Sequence, residues 1–458
     1  MLPTSPEYYC VLALTFVAFW LLRSRRAAVA LIFAVNLLFY AKWGLVYLLL
    51  VPAAATCDFF IGAAIHRHSG ILARRLLLAI SVSINIGLIF FCRYLPGTIV
   101  ILPLGLSFYA FQALTYTIDI FRDETKPIGS YLTYISSVTF FPTIVAGPIT
   151  PVAGLARQWK WNGAVLSADD GSRALFLIAL GLFKKFLIAD YLGANLVNRV
   201  FDLPTLYSGG DVLVAVYAYA FQLYYDFSGY SDIAIGSALL LGIRLPANFN
   251  LPYRAVNISE FWRRWHITFS NWLRDYLYFA LPGPRTKVMP YLNLIVTMIL
   301  GGLWHGIGWN FLIWGALHGC ALAGFRLWQT GRKNQRIRRK PGELSIANIA
   351  SGVFTFHFVL LAWIFFRSAS PETAVKILSQ IGSLTSLRFS FDNVTPPFLA
   401  VLLISAAAHF VPRSWHDTSI VWFNRTPAIL QAASLVLLVV AIQLVSSTGA
   451  APFIYSRF

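Results

Sequence analysis

The feature that most limits what this chain can fold into is a succession of apolar runs separated by short basic loops. Residues 8–22 are apolar and are followed at once by Arg23-Ser24-Arg25-Arg26; runs at 27–40 and 45–65 come next, with only Lys42 between them. A basic stretch at 66–75 then precedes the run at 76–92. An apolar segment of about 20 residues is stable in hydrocarbon only as a helix, because every backbone polar group must find its partner within the segment. Short loops rich in Lys and Arg mark the cytoplasmic side, so the N-terminus is expected to face out. The first run has no basic residue before it and several after it, the reverse of a cleavable signal peptide, and is expected to stay as a span. Further apolar segments occupy 174–200, 212–245, 291–304, 311–327, 346–366, 398–410 and 428–445, and the basic run 332–340 is the strongest cytoplasmic marker. The expected fold class is an all-α polytopic transmembrane helix bundle of about ten to thirteen membrane segments, forming one integral-membrane domain over residues 1–458.

Charge supports this reading. Only 12% of residues are charged, about half the share usual in soluble domains. The net charge of +18 would suggest nucleic acid in a soluble protein. Here the basic residues sit in loops between spans, so a lipid bilayer is the expected partner and nucleic acid is not. Cys10, Cys57, Cys92 and Cys320 are far apart and show neither disulfide nor metal spacing; buried free thiols are expected, and no metal site.

Several segments depart from a plain span. Residues 102–112 carry Pro103 and Gly105 within an apolar run, which suggests a broken helix facing protein. Residues 150–172 read as a polar loop, and 371–381 as a short surface helix. Lys184, Lys185 and Asp190 fall inside 174–200, where the lysines are expected to snorkel to an interface. Intramembrane charge is otherwise a functional hypothesis.

The polar groups with an interior look concentrate between 224 and 319, which is expected to be the catalytic core region. Asp226, Ser228, Tyr230 and Asp232 lie midway along an apolar run. Two carboxylates there must line a wet cavity or pair with arginines such as Arg263, Arg264 or Arg274. Over 259–278, Trp262, Trp265, Phe269, Trp272 and Tyr276 recur at spacings of three and four, so one amphipathic helix lying in the membrane interface is expected, with the arginines off its aromatic stripe. His266 sits beside the stripe. The run 291–304 is too short to cross hydrocarbon, and Trp304-His305-Gly306 ends it among glycines. An apolar setting disfavours imidazolium, so His305 suits a general base, with His266 as a second acid/base or a hydrogen-bonding partner. An interhelical hydrogen bond is the other reading of each. His318, His357 and His409 are expected in packing roles, and His66, His68 and His416 in loops. The P-loop, HExxH and GxSxG patterns are absent from the sequence.

Seven blocks resemble the membrane-bound O-acyltransferase (MBOAT) family, especially the branch containing the membrane subunit of alginate O-acetylation. They are 103–112 (PLGLSFYAFQ), 140–148 (FFPTIVAGP), 225–235 (YDFSGYSDIAI), 261–278 (FWRRWHITFSNWLRDYLY), 301–319 (GGLWHGIGWNFLIWGALHG), 363–367 (WIFFR) and 452–458 (PFIYSRF). The resemblance implies that His305 is the catalytic histidine and His266 its upstream partner. It implies a cytosolic acyl-thioester donor, acetyl-CoA or another thioester, as co-substrate with no bound cofactor. It further implies an exported or membrane-anchored acetyltransferase partner, a polysaccharide acceptor and the bacterial cytoplasmic (inner) membrane. The charge pattern adds Arg263, Arg264 and Arg274 as candidates to hold an anionic donor, and Asp226, Ser228, Tyr230, Asp232 and Trp304 are the remaining candidate binding residues. The sequence departs from the branch at Leu281-Pro282-Gly283-Pro284-Arg285 and at Ser456-Arg457. The rival readings are D-alanyl transfer to teichoic acid within the same family, and a transporter without chemistry.

Overall fold

A computed structural model describes residues 2–94, 105–144, 146–159, 166–283, 286–331, 345–382 and 393–445. Pro103, Leu104, Val145, Pro284, Arg285, the basic run 332–340 and the block 452–458 lie outside the described residues. Among the described residues the chain is helical, with no strand. Six helices among the described residues are long and apolar enough to cross a membrane: Arg25–Trp43, Leu45–Arg67, Ile71–Cys92, Trp309–Gly331, Ile346–Arg367 and Ala428–Val445. A pair of helices, Pro396–Phe410 and Ser414–Arg425, is apolar enough when taken together but is bent by 97° at its break, the form of a broken span or a re-entrant loop. Shorter apolar helices such as Pro6–Leu21 and Met289–His305 accompany them. The outward surface shows what surrounds it: Ile429, Leu437 and Leu444 on one span are each more than two-thirds exposed. Such a face is stable only against hydrocarbon.

The described residues fall into two compact units. The first comprises residues 1–182, 230–247 and 419–435. Its centre is the helix Leu106–Phe121, buried along nearly all its length. Leu45–Arg67, Ile71–Tyr94, Tyr131–Val138 and Val152–Gln158 pack around it. Asn36 ties two of the neighbouring elements: its Nδ2 donates to Ser136 O and Thr139 Oγ1, and its Oδ1 accepts from Phe141 N. The expected polar loop at 150–172 is corrected here, since Val152–Gln158 is a helix with Val152, Ala153, Leu155 and Ala156 buried.

The second unit comprises residues 183–229, 248–418 and 436–458. It opens with two π-helical stretches, Phe183–Asp190 and Gly193–Val197. Wide turns of this kind are uncommon and recur at functional sites. The long helix Gly209–Leu240 contributes its first part to this unit and its last part to the other. Met289–His305 and Trp309–Gly331 form a tight antiparallel hairpin joined by residues 306–308. The hairpin closes because small residues face each other: a Cβ on Gly315 would meet Met298 O at 2.5 Å, and one on Gly319 would meet Ile295 Cα at 2.7 Å. Backbone-to-backbone approach of this kind replaces the missing hydrophobic drive between helices in lipid.

Other expectations are corrected. Residues 259–278 are not one helix but Ile258–Arg264, Ile267–Trp272, a π-helical turn Leu273–Leu277 and a 3-10 turn Tyr278–Ala280. Their aromatic stripe faces protein, with Trp262, Trp265, Phe269 and Trp272 all buried. The thiols are free, but Cys10, Cys57 and Cys320 are exposed and only Cys92 is buried. His416 belongs to the helix Arg413–Arg425 rather than to a loop. The short helix expected at 371–381 is present as Pro371–Gly382, half-sunk through Ala374 and Ile377.

Candidate active site

His305 is the last residue of Met289–His305, and Gly306 caps it in an extended conformation. The imidazole is therefore carried on a rigid element but sits where that element stops. It is 6% exposed and walled by aromatic rings. Phe366 and Trp314 meet it edge-on with centroids 4.9 and 5.3 Å away, Trp304 lies at 4.5 Å and Phe311 at 6.4 Å. Phe366 comes from the span Ile346–Arg367 and Trp314 from Trp309–Gly331, so three helices of the second unit build the walls.

His266 lies at the break between Ile258–Arg264 and Ile267–Trp272. Its backbone is left-handed, with φ 42° and ψ 55°. For a residue other than glycine this costs about 1–3 kcal/mol and persists only where the surroundings impose it. Here a backbone clasp imposes it: Ile267 N donates to Asn248 O at 2.8 Å, and Asn250 N donates to Arg264 O at 2.9 Å. The Asn248 side chain completes the clasp. Its Oδ1 accepts from Thr268 Oγ1 at 2.9 Å and from Thr268 N at 3.3 Å, and lies 3.0 Å from His266 Nδ1. An acceptor oxygen at that distance places the proton on Nδ1, which leaves Nε2 with its lone pair.

Phe269 brings the two histidines into one aromatic cluster. Its ring stacks on His266 at 4.9 Å and on Trp304 at 4.7 Å, and meets His305 edge-on at 6.1 Å. Phe227 closes the far side of His266 at 4.6 Å.

Burial pushes the His266 pKa down to about 3 from its ordinary value of 6.5. Between these two values the unfolded chain binds a proton at this site and the folded chain does not. The contribution to stability is thus fully present above about pH 6.5 and is lost as pH falls toward about 3. The melting temperature of the wild type in detergent is expected to drop on going from about pH 7 to about pH 4. His266→Gln, which lacks the titrating group, is expected to drop less, and equal drops would contradict a buried neutral imidazole.

Asp226 finds a different partner from the arginines expected. Asp226 pairs with Lys185 Nζ at 2.7 Å, and the same ammonium pairs with Asp190 at 2.7 Å. Lys185 is 1% exposed, so it does not snorkel. The arginines are engaged locally: Arg264 bonds Glu260 through two nitrogens, Arg274 bonds Asp275 through two, and the exposed Arg263 bonds Ser259 Oγ. Ser228 is buried in the second unit, and its hydroxyl has no hydrogen-bond partner among the described residues. Tyr230 and Asp232 belong to the first unit, where the Tyr230 hydroxyl lies 3.4 Å from Thr4 Oγ1. His318 packs as expected, with Nδ1 accepting from Trp262 Nε1 at 3.3 Å. His409 does likewise, accepting from Tyr253 N at 3.1 Å. Asn248, Lys185 and Phe366 were not singled out as site residues by sequence reasoning. Asn248 and Asn250 flanking Phe249 beyond the end of an apolar run were the available signal for the clasp.

Comparison with known proteins identifies the family of the chain. The membrane-bound O-acyltransferase family profile matches residues 121–370, more than half of the chain and inclusive of both histidines. A peptidoglycan O-acetyltransferase from Helicobacter pylori is 36% identical over 75% of this chain and 71% of its own. A probable alginate O-acetylase AlgI from Pseudomonas putida is 32% identical over 97% of each chain. A teichoic acid D-alanyltransferase from Streptococcus thermophilus is 30% identical over 57% of this chain and 68% of its own. The chain belongs to the membrane-bound O-acyltransferase family and is a multi-pass membrane acyltransferase.

Proposed function

We propose that the protein transfers an acetyl group from a cytosolic thioester, such as acetyl-CoA, for O-acetylation of an exported or cell-envelope polysaccharide. The observation that carries the chemistry is the pairing of His305 and His266 around Phe269 in a buried aromatic cluster. In this reading His305 is the general base. It takes the proton of an acceptor hydroxyl as that oxygen attacks the thioester carbonyl. The new C–O ester bond forms, the C–S bond breaks, and the leaving thiolate receives the proton back from imidazolium. His266, neutral and held through Nδ1 by Asn248, is a positioning residue that presents its Nε2 lone pair as an acceptor for a substrate hydroxyl.

The polymer assignment rests on resemblance. The relatives named as O-acetylating enzymes align over 65–97% of this chain at 32–40% identity, and the teichoic acid D-alanyltransferases over 57% at 28–30%. Acetyl transfer is therefore favoured over D-alanyl transfer. An exported or membrane-anchored partner acetyltransferase would pass the group to the polysaccharide at the bacterial cytoplasmic membrane. The donor is a co-substrate, and no resident cofactor is called for by the chemistry.

Labelling separates the two acyl groups. Cells with and without the gene are fed labelled acetate or labelled D-alanine, and base-labile label in envelope polymers is counted. Loss of the gene is expected to remove acetyl ester and to leave D-alanyl ester unchanged. Loss of D-alanyl ester alone would overturn the acetyl assignment.

A further inference from the structure

The first unit contains a buried polar cluster that the acyl-transfer reading does not use. Asp58 lies midway along the span Leu45–Arg67, about 20 Å from one helix end and about 14 Å from the other at 1.5 Å per residue. It is 0% exposed, as are Ser81, Asn85 and Thr117 around it. Ser81 Oγ donates to Asp58 Oδ1 at 2.6 Å, and Asn85 Nδ2 donates to Asp58 Oδ2 at 2.8 Å. The Thr117 hydroxyl lies 2.9 Å from Ser81 Oγ. These residues come from three helices, Leu45–Arg67, Ile71–Tyr94 and Leu106–Phe121, so the cluster is a product of the fold and not of one segment.

Two facts point to a ligand. No Lys, Arg or His among the described residues lies within ion-pair distance of Asp58. The second is Asn85 Oδ1, a buried oxygen with no hydrogen-bond donor among the described residues. The amide that carries it is fixed through Nδ2 to Asp58 and to Ser81 O. A bare carboxylate at this depth costs several kcal/mol, and neutral donors alone do not repay it. The cost is removed by one positive charge. The oxygens at hand are a carboxylate, two hydroxyls and an amide carbonyl, an all-oxygen set that suits a hard cation, and the single carboxylate balances one positive charge.

The other ionisable groups on the packed elements do not supply that charge. Tyr109, Tyr116 and Tyr134 are the titratable side chains within electrostatic reach of Asp58, and all are neutral phenols at physiological pH. Cys57 is exposed, and Asp119 is another carboxylate. Arg74 is occupied by Asp123 and by the carbonyls of Ile120 and Phe121. His66 and Arg67 sit at the far end of the Asp58 helix, and Arg75 near the start of Ile71–Tyr94.

We infer that Asp58, with Ser81, Thr117 and Asn85, forms an intramembrane binding site for one monovalent cation, a proton or a sodium ion. The inference is independent of which polymer the enzyme serves.

Infrared spectroscopy and melting of the purified full-length protein in lipid nanodiscs test it. If the ligand is a proton, the carbonyl stretch of a protonated carboxylic acid is present at neutral pH, shifts on deuteration, and is missing from Asp58→Asn. If the ligand is sodium, that band is missing in sodium buffer, the melting temperature is higher in sodium than in choline, and Asp58→Asn abolishes the difference. A carboxylate at Asp58 in neutral buffer with no response to sodium would overturn the site. Should Asp58→Asn fail to fold, Ser81→Ala serves instead, because it keeps the carboxyl and removes one oxygen. It is expected to shift the carbonyl band or to raise the sodium concentration needed, and no change in either would overturn the proposal.

Discussion

His305→Gln is expected to lower acyl transfer by at least about 100-fold, the range over which a positioned general base contributes. Thiol release from the thioester donor by purified protein is the readout. The substitution keeps a polar side chain of similar length within the ring cage of Trp304, Phe311, Trp314 and Phe366. Melting temperature is therefore expected to change little while the rate collapses. A rate within about threefold of wild type would remove His305 from the chemistry. His266→Gln is expected to fall between the two, because a neutral partner orients the reaction without taking the proton. Its pH–rate profile should keep the limbs of the wild type at lower amplitude, since His266 stays neutral over the working range.

Lys185→Met is expected to be the most destabilising single change in the second unit. It leaves Asp226, which is buried, and Asp190, which is half-buried, as negative charges without their ammonium. Breaking a buried pair by removing one partner costs about 3–5 kcal/mol, mostly because the remaining charge is stranded. Lys185→Met combined with Asp226→Leu is expected to recover most of that loss, since hydrophobic residues of similar volume replace buried pairs at little cost. Fluorescence-detected melting of the two variants in one detergent measures both. A single variant as stable as wild type, or a double variant no better than the single, would show that the pair does not hold the π-helical segment to the long helix.

The parts of the fold that could be read from the sequence were those governed by the bilayer itself. Apolar length and basic loops located spans such as Leu45–Arg67 and Ile346–Arg367 to within a few residues, because backbone satisfaction in lipid leaves no alternative to a helix. The same solvent hid which face of each helix turns inward. Lipid is as apolar as a protein core, so an outward Leu and an inward Leu carry the same pattern. That is why Cys10, Cys57 and Cys320, expected inside, lie exposed. It is also why the aromatic stripe of 262–276, expected at the interface, lies largely buried.

The candidate site divides along the same line. The catalytic role of His305 is implied by the family resemblance and not by spacing. Its place at a helix end was legible because a short apolar run stops beside it and glycines follow. The break at His266 was not, because the aromatic spacing of 259–278 continues through it. The left-handed turn depends on Asn248, eighteen residues earlier, and on backbone bonds that no local pattern encodes. The partner of Asp226 was misassigned for a similar reason. Arginines are abundant nearby in sequence, but Lys185 is the cation the fold delivers, 41 residues away.

The most direct test of the central claim is the base-released acetyl content of envelope and exported polysaccharide. A deletion strain is complemented either with wild type or with His305→Ala, matched for protein in the membrane. The account predicts acetyl ester restored by wild type and not by His305→Ala. Equal restoration by both would contradict it, because the chain would then support acetylation without the histidine on which the proposed chemistry depends.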